Sequence, residues 1–215
     1  MKRLFIVILI AALCPMSNCV FAQILSKEMQ AALDACLQLR TAIETGTTTQ
    51  LRSANKAFKM CYINEFTSLR CLDKSPLSLN GHFVFDEVFV DSLIVGRDVY
   101  KFAQRYAEIR GVRGVSSSGK IFAKTCAVKK KSSAKYSFVS RGRQELAVVT
   151  EPDGMVSLRI YDKTHGKWYN DTKDVNDGQA YRCMVFDLPT DEKSVLEIEV
   201  FNTTKNNISF VIISN

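Results

Sequence analysis

The chain has 215 residues, 47% of them hydrophobic and 24% charged, with 10 Gly and 4 Pro. Those proportions exclude a disordered polymer, a collagen-like fibre and a Pro-rich spacer, and the length suits one ordinary domain with a small appendage or two small domains. The formal net charge is +7, so the question is where the excess cations lie.

Residues 1–22 read as a secretory leader. Lys2 and Arg3 open it, Leu4 to Leu13 is an unbroken apolar run, and Val20-Phe21-Ala22 places short residues where a signal peptidase reads. Gln23 is then the mature N-terminus. The apolar run is too short to cross a hydrocarbon layer of about 30 Å. Cys14 and Cys19 follow Leu13 and Asn18, not the small residue that lipidation requires. The expectation is a bacterial export substrate bound for periplasm, cell surface or medium, with no membrane span.

Export leaves Cys36, Cys61, Cys71, Cys126 and Cys183 in an oxidising compartment, where disulfides are permitted. Five is odd, and sequence does not choose among the pairings. No pair has C-x-x-C spacing, and His82 and His165 are the two histidines, so neither a metal site nor a cofactor is expected.

Residues 23–75 are expected to form a helical hairpin, with helices over 24–62. Leu25, Met29, Leu33, Cys36, Leu37 and Ile43 recur at helical spacing, and Lys27, Glu28, Asp34, Gln38 and Arg40 fall between them. Ser26 supplies a start, and Gly46 with Thr47-Thr48-Thr49 supplies the break. Leu51, Ala54, Phe58 and Cys61 share one face of the second helix, so Cys61 and Cys36 could meet across the hairpin. A unit of this size needs a neighbour to pack on.

From residue 79 the pattern turns to strand. The aromatic and β-branched stretch 82–90 suits a strand. Residues 98–109 fit helix or strand equally, and 111–119 reads as a loop. Seven short strands follow, over 121–128, 135–139, 145–150, 155–161, 180–188, 194–202 and 207–213. Turn chemistry such as Ser140-Arg141-Gly142 and Pro152-Asp153-Gly154 separates them. This predicts an α+β fold: a helical hairpin followed by an antiparallel, jelly-roll-like β-sandwich over 79–215.

Charge is unevenly spread. Residues 97–143 hold 13 basic and 2 acidic residues, whereas 144–215 hold 7 basic and 12 acidic. Lys129, Lys130, Lys131, Arg141 and Arg143 are the candidate contacts for an anionic polymer. No nucleic-acid module accompanies them. The cations also suit an outward strand face turned toward the acidic third of the same chain.

The strand motifs Tyr136-Ser137-Phe138, Glu145-Leu146-Ala147-Val148-Val149, Gly154 through Tyr161, Leu196 through Asn202 and Ser209 through Ile213 resemble bacterial pre-peptidase C-terminal domains over about 134–213. The resemblance implies a small jelly-roll-like sandwich, attached to secreted enzymes or found alone. It implies aid to secretion or binding of polymeric substrates, without catalysis. Members often carry an acidic calcium segment near the third strand; Arg159 stands there instead, so calcium is not implied.

Four places in the sequence carry residue types that could do chemistry or bind a ligand. Asp171, Asp174, Asn176, Asp177 and Gly178 offer oxygen ligands, but their spacing is not that of an EF-hand loop and reads as a turn. A Ser or Cys hydrolase would need His82 or His165 as base, yet Gly-x-Ser-x-Gly is absent and His165 sits in a hairpin-tip composition. No carboxylate pair stands in apolar surroundings as a glycosidase requires. Trp168 and Tyr169 form a candidate aromatic platform for sugar. The reading is therefore an exported, non-enzymatic binding or accessory protein that contacts an anionic or glycan polymer, an anionic polysaccharide or other envelope component. The alternatives are a structural protein holding a partner protein and a secreted hydrolase.

Overall fold

Ser26 begins the chain's first helix, α1 (Lys27–Thr45), by accepting the Met29 N–H on its Oγ at 3.2 Å. Gly46 ends it in the left-handed region at φ 67°, its N–H returning to the Ala42 carbonyl at 3.0 Å. Helix α2 (Thr48–Met60) then folds back on α1. These positions come from a computed structural model that describes residues 25–61, 63–79, 84–85, 89–90, 93–94, 120–170 and 177–215. The expected leader, the ambiguous stretch 98–109, the loop 111–119 and His82 lie outside the described residues.

Among the described residues ten strands follow: β1 (Asn64–Glu65), β2 (Arg70–Cys71), β3 (Phe122–Val128), β4 (Ser133–Ser140), β5 (Arg143–Thr150), β6 (Val156–Asp162), β7 (Lys167–Asn170), β8 (Tyr181–Asp187), β9 (Ser194–Asn202) and β10 (Ile208–Ser214). They form two five-stranded sheets, β1-β3-β10-β5-β8 and β2-β4-β9-β6-β7. All pairings are antiparallel except β1 with β3. The fold is α+β, a helical hairpin and a β-sandwich. The seven strands read from sequence are present within two residues at each end.

Three strands were not foreseen. β1 and β2 come from within 23–75, so the chain that leaves the hairpin feeds one edge of each sheet. β7 occupies 167–170, where the sequence analysis places no strand. Of the strand expected over 82–90, the described residues show none: Val84 and Phe85 carry no regular structure and 89–90 are helical, while 82–83 and 86–88 lie outside the described residues. Its apolar residues serve a different purpose. Phe85 and Val90 are buried in the layer between helices and sheet, where any conformation that delivers apolar surface suffices.

The two sheets are buried differently. Residues Leu146, Val148, Phe210 and Ile212 point inward to meet Leu158, Ile160, Ile198 and Val200 of the second sheet. The alternate residues Ala147, Val149, Val211 and Ile213 point outward and are covered by Met29, Leu33, Cys36 and Leu39 of α1. β10 is accordingly buried at every position, whereas β9 alternates strictly between buried and half-buried. The described residues thus form three layers, helix on sheet on sheet, and among them the outer face of the second sheet is open.

One buried carboxylate fastens the helical layer. Glu145 of β5 accepts the Ser26 N–H at 3.0 and 2.9 Å and the Ser26 hydroxyl at 2.7 Å, while Arg143 Nε lies 3.3 Å away. A negative charge at a helix N-terminus is also favoured by the aligned peptide dipoles. Replacing Glu145 with Ala should lower the unfolding free energy by about 2–3 kcal/mol, the range for hydrogen bonds to a charged group plus the donors left unmade. Urea denaturation followed by circular dichroism checks this, and a loss no larger than that of an exposed substitution such as Glu44→Ala would refute the latch.

Candidate functional site: the open face of the second sheet

Strand alternation dictates which side chains reach the open face. Tyr136, Phe138, Leu158, Ile160, Leu196 and Ile198 face the core, so their neighbours Lys135, Ser137, Arg159, Tyr161, Glu197 and Glu199 face out. Pairing then sets them in rows. Trp168 lies opposite Tyr161, Tyr161 opposite Glu197, and Glu197 opposite Ser137. One row along, Arg159 stands opposite Glu199, and Glu199 opposite Lys135.

Trp168 and Tyr161 have ring centroids 4.7 Å apart at 37°, and the Arg159 guanidinium carbon lies 4.8 Å from the Trp168 centroid. Trp168 nonetheless remains 49% exposed. The charges alongside are matched: Lys163 Nζ is 3.2 Å from Glu197 Oε1, and Lys135 Nζ is 3.7 Å from Glu199 Oε1. The face is a half-open aromatic surface beside hydrogen-bonding groups of near-balanced charge.

The predicted partner of Trp168 is not there. Tyr169, next along β7, points the other way, as adjacent strand residues must. It stacks on Phe186 with centroids 4.6 Å apart and donates its hydroxyl to the Asp187 carbonyl at 3.3 Å. Tyr161 takes its place, a residue that only the β6–β7 register brings beside Trp168.

The predicted basic surface divides in two. Lys129, Lys130 and Lys131 form the β3–β4 turn, while Arg141 lies in the β4–β5 turn and Arg143 opens β5. Eight residues of β4 separate the turns, about 25 Å at some 3.3 Å per residue. At the lysine end, Asn202 Nδ2 donates to the Lys129 carbonyl at 3.2 Å and the Lys130 N–H donates to Asn207 Oδ1 at 3.0 Å. Lys131 adopts φ 49° and donates its ammonium to the Thr203 carbonyl. At the other end Arg143 is engaged with Glu145, and it lines a cleft of about 410 Å³ with Leu25, Ser26 and Lys120. Arg97, Lys101, Arg105, Arg110 and Arg113 lie outside the described residues.

The β6–β7 hairpin that carries Trp168 is held by an acid-base cluster. Asp162, buried at the end of β6, accepts the N–H groups of Thr164 at 3.0 Å and His165 at 3.2 Å on Oδ1, as turn-forming aspartates do. Its Oδ2 lies 2.6 Å from His165 Nδ1, and His165 Nε2 lies 2.6 Å from Glu192 Oε1. The contacts to Glu192 and then Asp162 hold the imidazole above its ordinary pKa. Burial opposes charge on Asp162, but the His165 ring and the His165 and Thr164 amides outweigh it and hold the carboxyl below its usual range.

This cluster bears on the hydrolase alternative. Ser194 Oγ is 3.3 Å from His165 Nδ1, yet Ser194 is fully buried and both ring nitrogens already face carboxylates. Of the acidic loop, Asp171, Asp174 and Asn176 lie outside the described residues, and the Asp177 carboxylate pairs with Arg182 at 3.4 Å. Among the described residues no three His, Cys, Asp or Glu side chains are grouped as metal ligands, and no helix is long and apolar enough to cross a membrane. A cleft of about 440 Å³ between α1 and α2, lined by Asp34, Gln38, Thr41, Gln50 and Ser53, contains neither His nor Cys. No disulfide joins the described cysteines.

No family model matches the chain, and no curated protein matches it. Among solved structures, it is similar to PliG, a periplasmic inhibitor of g-type lysozyme from Salmonella Typhimurium, at 13% identity and a TM-score of 0.31, over 48% of this chain and 93% of that one. A carbohydrate-binding module solved with β-1,4-galactotriose aligns at 9% identity and a TM-score of 0.25, over 45% of this chain and 88% of that one. RmlC from Streptococcus suis aligns at 11% identity and a TM-score of 0.23, over 51% and 52%.

The His165 cluster makes stability pH-dependent. Because folding raises the His165 pKa, its contribution is complete below the unfolded value of about 6.5 and is lost as pH rises through the folded one. Because folding lowers the Asp162 pKa, that contribution is complete above about 3.9 and is lost as pH falls through the folded one. The gap in urea midpoint between wild type and His165→Asn should be widest near pH 5.5 and should shrink by pH 9. An equal gap at both values would show that the ring acts without its charge.

Proposed function

We propose that the protein is an exported, non-catalytic binding module that holds a glycan chain against the open face of its second sheet, with Trp168 as the stacking surface. One observation carries the reading: the sole Trp of the chain stands half exposed on a sheet, braced by Tyr161 and Arg159. A flat indole presented to water suits the apolar face of a pyranose ring, and Glu197, Glu199, Ser137 and Lys135 supply acceptors and donors for its hydroxyls. The matched charges favour hydroxyl-rich over highly charged chains. Export rests on the leader composition. The engagement of His165, the one described histidine, by two carboxylates supports the non-catalytic reading. The likeness to pre-peptidase C-terminal domains belongs to the same proposal, since those domains bind polymers.

A second reading, capture of an anionic polysaccharide, is favoured by the lysine end. Lys129, Lys130, Lys131 and Lys205 sit on two turns tied together by Asn202 and Asn207, and no carboxylate pairs with these four among the described residues. Salt separates the two, because exposed cation contacts are screened over about 10 Å at 0.1 M.

Trp168 fluorescence reports on the site directly. Titration with a soluble β-glucan, a neutral galactan and heparin should shift the emission for at least one of the first two, with an affinity that changes less than twofold between 50 and 500 mM NaCl. Trp168→Ala should weaken retardation of the protein in gels containing that polysaccharide at least tenfold, whereas Lys129→Ser/Lys130→Ser/Lys131→Ser should not. Binding of heparin alone, lost with salt and with the lysine variant, would replace this reading with the second. No response to any of the three overturns both.

A further inference from the structure

Four of the five described cysteines fall into two couples, each made of one buried and one half-buried thiol. In the helical layer Cys36 is fully buried on α1, and Cys61 caps the C-terminus of α2. The short connection through Gly46 and Thr47 makes the helices antiparallel, so the last turn of α2 returns alongside the middle of α1. A charge on Cys61 is felt at Cys36.

The second couple spans the sandwich. Cys71 stands directly opposite Tyr136 in the β2–β4 pair, and opposed residues of an antiparallel pair share a face. Cys71 therefore follows Tyr136 inward and packs against the core cluster that contains Cys126. Cys126 enters that core from β3 of the other sheet, in the cluster that also holds Tyr136. One tyrosine thus shares its core with a cysteine from each sheet. Cys183, on β8, packs against the layer between helices and sheet.

We propose that Cys36–Cys61 and Cys71–Cys126 are the disulfide sites of the protein, closed by exchange with the disulfide of a thiol oxidoreductase or of oxidised glutathione. In each couple the accessible thiol, Cys61 or Cys71, loses its proton and attacks one sulfur of the oxidant, whose other sulfur departs and takes up a proton. The buried partner, Cys36 or Cys126, then loses its proton and attacks the protein sulfur of the mixed disulfide, and the oxidant's second sulfur departs as a thiol. Each bond moves two electrons and two protons from protein to oxidant. Burial pushes the Cys36 thiol far above its ordinary range and the Cys126 thiol to about 12, so the second step belongs to folding, before the core closes.

The test refolds the reduced full chain with oxidised glutathione, blocks remaining thiols by alkylation, and maps unreduced peptides by mass spectrometry. Cross-linked peptides joining Cys36 to Cys61 and Cys71 to Cys126 should dominate, and the oxidised protein should have a higher urea midpoint than the reduced one. Cys61→Ser should remove the first cross-link and leave the second; Cys71→Ser should do the reverse. Already folded, reduced protein should oxidise at least tenfold more slowly than the refolding chain. A dominant link between the couples, such as Cys36–Cys71, or four alkylated thiols after refolding, overturns the proposal.

Discussion

The arrangement depends on one constraint: the first sheet is apolar on both faces and must be covered on both. A strand such as β10, buried at all seven positions, has no face it can turn to water. The second sheet covers one side and α1 covers the other. Helices in proteins take most of their stability from packing an apolar face rather than from propensity. The sheet therefore orders the helix, and Glu145 fixes where it starts by taking the Ser26 N–H and hydroxyl on one buried carboxylate. Coverage of the first sheet leaves the outer face of the second as the one broad strand surface open among the described residues.

Connectivity then decides how functional groups are distributed. Among the connections from β3 to β10, only the β6–β7 turn joins neighbouring strands of one sheet; the others pass from sheet to sheet. Successive turns alternate between the two ends of the sandwich. A run of cations that is continuous in sequence, from Lys129 to Arg143, is split by the length of β4. Charge density along the chain overstates charge density on the surface whenever a strand intervenes. The lysine end gains its coherence from another source, the side chains of Asn202 and Asn207, which zip the β3–β4 turn to the β9–β10 turn.

Much of this was legible in the sequence because the burial periods are clean. Val195 to Asn202 alternates as a one-sided strand should, and Leu25 to Ile43 keeps helical spacing, so both were placed within two or three residues. β1 and β2 are two residues each and carry no period to read. β7 was hidden by Gly166 and its polar neighbours, which mark the turn but not the four residues after it. The stretch 82–90 has strand composition, and composition cannot tell a strand from the apolar cover that Phe85 and Val90 give the first sheet. The aromatic site was half legible. An exposed Trp168 follows from its setting among Lys167, Asn170 and His165, but its true neighbours Tyr161 and Arg159 come from β6, and only cross-strand register supplies them.

Register also explains why the hairpin tip is so heavily tied. β7 is an edge strand of four residues, paired on one side alone, and such a strand frays readily because few backbone bonds hold it. An aromatic surface mounted on a fraying edge would lose binding free energy to ordering, at about 0.5–1.5 kcal/mol for each side chain immobilised. The tip counters this with Asp162 accepting two backbone N–H groups, with Thr164 Oγ1 accepting the Val195 N–H at 2.9 Å, and with His165 reaching across to Glu192 in the β8–β9 loop. Each of these contacts lies beyond the end of the sheet ladder, where the pairing itself gives no support. Tyr161 and Arg159 then hold the Trp168 ring from the neighbouring strand. The cluster that sequence offered as a catalytic base is, in the fold, what keeps the aromatic surface flat and in place.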